Sequence, residues 1–322
     1  METPPNSADS ERSVLERLAF ETLVEQRRAR RWRIGINLVW LSFFVLVFIV
    51  VMGLSGAKRE ASSLEKHTAL VELKGVISAD SKASADKVIS ALQSAFKDKN
   101  TQGVILRINS PGGSPVQAGY INDEIRRLKA MHKDIPLHVV VQDICASGGY
   151  YVAAAADRIF VDKASIIGSI GVIMDGFGFT GTMEKLGVER RLITAGENKG
   201  FLDPFSPANA EQQKYAREMV AEIHQQFIKV VKEGRGKRLK ETPEMFSGLV
   251  WSGEKSVQLG LADGFGSLEY VAREVIKAEM IVDYTADESL SEQLARKLGA
   301  TAAESFWNGA LAARSAGGSP LR

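Results

Sequence analysis

The sequence predicts an α/β domain with a parallel sheet and crossover helices, preceded by one N-terminal transmembrane helix. Three observations lead there. From residue 67 onward, strand-like apolar segments alternate with amphipathic helical ones, the order that sets parallel strands side by side. An almost uninterrupted apolar run, Ile34 to Leu54, is long enough to span a bilayer core. Glycine pairs follow two predicted strands, at Gly112 and Gly113 and at Gly148 and Gly149, where such sheets carry their working loops.

The chain divides into a basic N-terminal segment (1–33), the apolar span (34–54), a polar linker (55–66), the α/β domain (67–283) and a polar tail (284–322). Asn37 and Ser42 are the clearly polar side chains in the span, and Asn37 lies near one end. A buried core helix would show a polar face, and a cleaved signal peptide would have a shorter apolar run and leader. Arg27, Arg28, Arg30, Arg31 and Arg33 precede the span, while Lys58, Arg59 and Lys66 follow it. This bias places the N-terminus in the cytoplasm and the α/β domain on the outer side of the membrane. Upstream, Val14, Leu15, Leu18 and Leu23 recur at helical spacing, which suits a short amphipathic helix or a solvated basic anchor equally.

Within the domain, "ALVELKGVI" reads as the first strand, "SADKVISALQSAFKD" as a helix, "GVILRINS" as a buried strand and "QAGYINDEIRRLKAM" as a second helix. "PLHVVVQD" is the next strand, followed by a turn at Ser147 and a helix through Ala156. "DRIFVD", "GSIGVIM" and "RRLIT" read as short strands. A long helix follows, with Tyr215, Met219, Ile223, Phe227 and Val230 as an apolar stripe for packing or subunit contact. "FSGLVWSGEKSVQLGLADGFGSLEYVAREVI" closes the domain as strand, helix, turn and helix. The very end of the tail is Ala/Ser/Gly-rich and expected to be mobile.

Composition narrows the chemistry. A net charge of +2, without a basic stripe interleaved with aromatics, gives no reason to expect a nucleic-acid partner. One cysteine, Cys145, excludes an internal disulfide and a cysteine zinc site. His67, His132, His138 and His224 lack metal-ligand spacing, so neither metal nor cofactor is expected. Ser147, after a strand and before two glycines, suits either a nucleophile on a sharp elbow or a small residue in a tight turn. A nucleophilic serine needs a base, and no histidine is placed for a triad. Lys163 and Lys185 read as solvated. Lys199 differs, lying in the glycine-bounded loop "TAGENKGFLDPF" that Phe201 and Phe205 flank, where burial would favour the neutral amine that a base requires. The loop "NSPGGSP" offers unshielded N–H groups at a helix start, suited to a developing anion.

Together "INSPGG", "SGGYYVAAAADRI", "SIIGSIGVI", "AGENKGFLDPF" and "VWSGEKSVQLGLADGFGS" resemble the signal peptide peptidase A family over residues 67 to 283, in a single copy. The resemblance implies a crotonase/Clp-protease-like fold and a membrane-anchored Ser/Lys peptidase forming ring-shaped oligomers, octamers in the short form. It implies Ser147 as nucleophile, Lys199 as general base, Ser169 as the hydroxyl orienting the lysine, and the N–H groups of Gly113 and Gly148 as the oxyanion hole. The implied partners are cleaved signal peptides as substrates, the bilayer through Ile34–Leu54, and further copies of the chain. Asn198 and Asp143 stand nearby without assigned roles. Two other readings compete: a crotonase-type acyl-CoA enzyme, which an outward-facing domain argues against, and a non-enzymatic membrane scaffold, which leaves Ser147, Ser169 and Lys199 as coincidences.

Overall fold

The computed structural model describes residues 28, 30–46 and 65–286. The chain forms two compact units, Met1–Leu64 and Glu65–Arg322. In the first, residues 30–46 are helical with exposed side chains. Among the described residues no helix is long and apolar enough to cross a membrane. Residues 47–54 of the expected span lie outside the described residues, as do the possible helix at 14–23, most of the linker and the tail beyond 286.

The second unit begins with β1 (His67–Lys74), α1 (Ala85–Lys97), β2 (Thr101–Ser110), α2 (Pro115–Met131) and β3 (Leu137–Ala146). After α3 (Gly148–Ala153) come β4 (Arg158–Val161), β5 (Ile166–Gly168), α4 (Thr180–Lys185) and the long α5 (Ala210–Arg235). The chain finishes with β6 (Val250–Ser252), α6 (Gly253–Leu259), β7 (Gly264–Phe265), a helical stretch from Leu268 to Ile276, and β8 (Ile281–Asp283). The sheet runs β6-β5-β3-β2-β1-β8, with β4 also on β3 and β7 on β4. Every pairing is parallel except β5–β6, as expected for strands joined by helical crossovers.

Side-chain periodicity explains the layers. In α1 the buried residues Ala85, Val88, Ala91, Leu92, Ala95 and Phe96 form one face, which covers the sheet. Ser114 caps α2, its hydroxyl accepting the Gln117 N–H, and Pro115 starts the helix with a preset φ. Val71, Leu73, Leu106, Ile108, Val139 and Val141 fill the space beneath α1 and α2. Each such side chain contributes roughly 1.5–3 kcal/mol on burial. On the opposite face Leu70, Ile105, Val140 and Phe160 lie under Leu268, Val271 and Ala272.

One irregularity positions the site. Between β2 and β3 the register passes from Ile108↔Val141 to Ser110↔Cys145, so β3 advances further than its neighbour. That bulge bends β3. Its first half pairs with β4 through His138–Val140, and its last residues, Ile144–Ala146, pair with β5.

Two expected strands come out differently. Of "GSIGVIM" only its first residue, Gly168, pairs, at the end of β5, and "RRLIT" forms no strand and is exposed. The edge of β5 away from β3 is taken by β6, which pairs with it antiparallel. The stripe of α5 is only partly used. Phe227 and Val231 are buried near its C-terminal end, whereas Tyr215 near its start is 62% exposed.

Candidate active site

β3 ends at Ala146, and Ser147 turns the chain into α3 with φ 50° and ψ −123°. A non-glycine residue there stores on the order of 1–3 kcal/mol of strain, which the surroundings must hold. They do so through the β3–β5 pairing. Ala146 lies opposite Gly168, the Ser147 N–H donates to Gly168 O at 2.8 Å, and the Tyr151 N–H donates to Ser147 O at 2.9 Å. The same pairing brings Ser169, the residue after Gly168, alongside Ser147. Ser169 also has a positive φ, 51°, and its N–H donates to Leu249 O, just before β6, at 2.8 Å. Both serines are half-buried.

The glycine loop packs directly on this turn. A Cβ at Gly112 would stand 2.6 Å from Gly148 N and 2.8 Å from Ser147 Cβ, so only glycine allows the loop so close. A Cβ at Gly148 would lie 3.3 Å from Gly113 N, which makes the two backbone segments neighbours. Neither the Gly113 nor the Gly148 N–H donates a hydrogen bond to another backbone group among the described residues. The loop is pinned from below: Ser110 Oγ donates to Gly75 O at 2.6 Å and accepts the Gly112 N–H at 3.1 Å. On the other side the Ile77 N–H donates to Gly112 O and the Ser114 N–H to Ile77 O, each at 2.8 Å.

The structure thus gathers Ser147, Ser169, Gly113 and Gly148 at one end of the sheet. Lys199 is not gathered with them by any hydrogen bond. It is exposed, in a turn where its N–H donates to Gly196 O at 3.1 Å, and its amine makes no hydrogen bond among the described residues. The expected burial beside Phe201 and Phe205 is absent: in the structure no residue of 171–209 is buried against the described residues. Ile173 is 88% exposed and Ile193 95%. Phe205 stacks instead on Phe179, 5.4 Å between centroids, and Phe201 meets Tyr215 edge-on at 5.8 Å. A cavity of about 1050 Å³ separates this stretch from α5, and its walls include Glu197, Gly200, Asp203, Arg217 and His224. His224 is held there by a 3.1 Å contact of Nε2 with Ile170 O.

Of the residues without roles, Asp143 accepts a 2.8 Å hydrogen bond from Asn109 Nδ2 at the exposed ends of β3 and β2. Asn198 offers its carbonyl to the Phe201 N–H at 3.1 Å. Cys145 is fully buried, and burial pushes its thiol well above the ordinary range, so it is inert as a nucleophile. Among the described residues no cluster of three or more His, Cys, Asp or Glu is placed to hold a metal. Sequence reasoning missed Gly168 and Leu249, which fix the conformation of Ser169. "IIGSIG" reads as plain strand alternation and gives no sign of the two consecutive positive φ angles there.

α3 itself is buttressed from two sides. Tyr150 OH donates to Leu261 O at 2.7 Å, and Tyr151 packs on Phe227 of α5 at 5.2 Å.

Comparison with known proteins places this arrangement. Residues 129–281 match the model of peptidase family S49. A putative signal peptide peptidase, SppA, of Enterococcus faecium is 32% identical over 200 residues, 62% of this chain and 58% of its own length. A putative protease of Methanocaldococcus jannaschii is 34% identical over 213 residues, 65% of this chain and 68% of its own. A Brucella melitensis protein named Na(+)/H(+) antiporter NhaA is 48% identical over 177 residues, 55% of this chain. The chain spans only 24% of that longer protein. With a family model across the Ser147 turn and relatives named as proteases along most of the domain, this chain belongs to peptidase family S49, the family of signal peptide peptidase A.

Proposed function

We propose that the chain is a membrane-anchored serine endopeptidase of crotonase/Clp-protease-like fold. It degrades cleaved signal peptides or other apolar membrane-associated peptides on the outer side of a bacterial inner membrane. The observation that carries the reading is the strained Ser147 elbow with the Gly113 and Gly148 backbones beside it, whose N–H groups donate to no other backbone group among the described residues. In this reading neutral Lys199 takes the Ser147 proton as Oγ attacks the peptide carbonyl, and the carbonyl oxygen takes up negative charge against the two N–H groups. Collapse breaks the C–N bond, the lysine returns the proton to the leaving amine, and an acyl-enzyme forms. Water, deprotonated by the same lysine, then releases the acid and restores Ser147. Ser169 hydrogen-bonds the lysine amine and orients it.

The reading includes a ring of identical chains. The exposed apolar side chains of 171–209, on the same stretch as Lys199, support it, since a packed second copy would exclude water around the amine. The apolar run at Ile34–Leu54 supports anchoring.

The test is cleavage of a fluorogenic apolar peptide by the full chain in detergent. Ser147→Ala and Lys199→Ala should each lower kcat by orders of magnitude while gel filtration shows unchanged assembly. Near-full activity of Lys199→Ala refutes the dyad.

A further inference from the structure

The helical residues 30–46 carry an asymmetry that the peptidase reading leaves unused. An α-helix turns about 100° per residue, so Arg28, Arg31, Gly35 and Val39 share one face, with Trp32 at its margin. Arg30 and Arg33 fall on the opposite face. Nothing lies within 4 Å of where a Gly35 Cβ would stand, so the first face is notched one turn below Arg31. Arg31, Trp32, Gly35, Ile36, Val39 and Trp40 line a groove there of about 500 Å³. Its lower wall is stiffened by aromatic contacts, Trp40 lying 5.9 Å from Phe43 and 6.1 Å from Phe44.

The groove therefore has two chemically distinct ends. At the N-terminal end Arg31 lines the groove and Arg28 lies one turn before it on the same helix face, and each guanidinium can fork onto phosphate oxygens. Below them the walls are apolar, apart from the indole N–H groups of Trp32 and Trp40, of which that of Trp32, nearer the arginines, suits the ester level of a lipid. An occupant must be anionic at its head and hydrocarbon beneath. A phosphocholine head carries its own cation, which the arginines repel, whereas phosphatidylglycerol carries net negative charge.

We propose that the face formed by Arg28, Arg31, Trp32, Gly35 and Val39 binds one anionic phospholipid, with its phosphate under the two arginines and an acyl chain along the notch. The proposal rests on the membrane placement of this helix. It differs from the charge bias that orients a span, because that bias counts arginines whatever face they occupy.

The experiment reconstitutes the full chain in phosphatidylcholine vesicles containing either dibrominated phosphatidylglycerol or dibrominated phosphatidylcholine at equal mole fraction. Quenching of tryptophan fluorescence is read, and a Trp32→Phe/Trp40→Phe variant defines the share owed to Trp251 and Trp307. One arginine near an anionic surface is worth about fivefold in affinity, so brominated phosphatidylglycerol should be preferred at least about threefold. Arg28→Gln/Arg31→Gln should bring the ratio to about one. Arg30→Gln/Arg33→Gln, which removes the same charge from the other face, should keep most of it, and Gly35→Leu should lower it by filling the notch. Equal losses in the two arginine pairs would mean diffuse attraction and overturn the site. Equal quenching of the wild type by both lipids overturns the site while leaving the anchor intact. No quenching by either lipid overturns the anchor and the site together.

Discussion

Replacing Asp263 by alanine strands the Arg235 guanidinium in the core. Arg235 has a side-chain exposure of 0% and Asp263 of 13%. Nη1 and Nη2 each donate to the carboxylate at 2.9 Å, and the same carboxylate accepts the Ile159 N–H at 2.7 Å. Arg235 Nε keeps only Gly260 O, at 2.9 Å. Losing one partner of a buried, hydrogen-bonded pair costs about 3–5 kcal/mol, which in a domain of this size lowers the melting midpoint by roughly 6–20 °C. Replacing both groups by apolar ones, Arg235→Met with Asp263→Leu, should recover most of that loss, because no charge is then left buried. The pair also sets an acid limit. Burial raises the Asp263 pKa, but the hydrogen bonds and charge of Arg235, with the Ile159 N–H, carry it below the usual carboxylate range. A depressed folded pKa gives stability that is present above the unfolded value, near about 3.9, and lost as pH falls through the folded one. Thermal melts of the full chain in detergent at pH 7, and then from pH 5 to 3, read both effects. The wild type should lose this increment below about pH 4, where Asp263→Ala shows no matching slope. A single variant melting within about 2 °C of wild type, or a double variant no better than the single, would refute the reasoning.

Other perturbations probe separate places. His138 is buried against the edge of Phe160, 5.9 Å between rings, and burial lowers its pKa although Asp157 pulls the other way. Since the unfolded chain takes up that proton near pH 6.5, stability should fall from about pH 7 to 5, and His138→Gln should flatten the slope. Gly113→Ala puts a Cβ into Ile77 O, so kcat for peptide cleavage should drop about 10²–10³-fold, and an unaltered kcat would contradict the placement of its N–H beside Ser147. Gly234→Ala drives a Cβ into Ala154 O where α5 meets the end of α3. A loss of about 1–3 kcal/mol is expected in denaturant titrations, and an unchanged midpoint would show that the contact relaxes freely.

The parts of the fold legible in the sequence are those whose side chains bury against their own chain. α1 and α2 announce themselves by a 3.6-residue apolar period, and β2 and β3 by β-branched runs between turn residues. The site was legible where glycines mark it, at 112–113 and 148–149. The stretch 171–209 was not, because its apolar pattern demands a partner without naming one. "RRLIT" has the composition of a strand, yet strand formation depends on a free edge nearby. The same holds for the stripe of α5, of which only the Phe227 end finds the core. Lys199 stands out in the sequence by residue type and neighbours, whereas its surroundings depend on packing that its own sequence does not encode.

The pairing of β8 with β1 has a mechanical consequence. The chain enters the domain at His67 and leaves past Tyr284, and the two side chains meet, with His67 Nε2 2.9 Å from the Tyr284 hydroxyl and that hydroxyl donating to Asp98 at 2.6 Å. β8 runs parallel to β1 over Thr68–Leu70, and the Tyr284 N–H and Thr285 Oγ1 extend the contact to Leu70 O and the Glu72 N–H. Tension between the segment before residue 65 and the segment after 286 therefore draws these strands past each other lengthwise. The bonds along the seam share the load at once instead of opening one by one, so the outermost strand acts as a clasp that resists a pull on the two flanking segments.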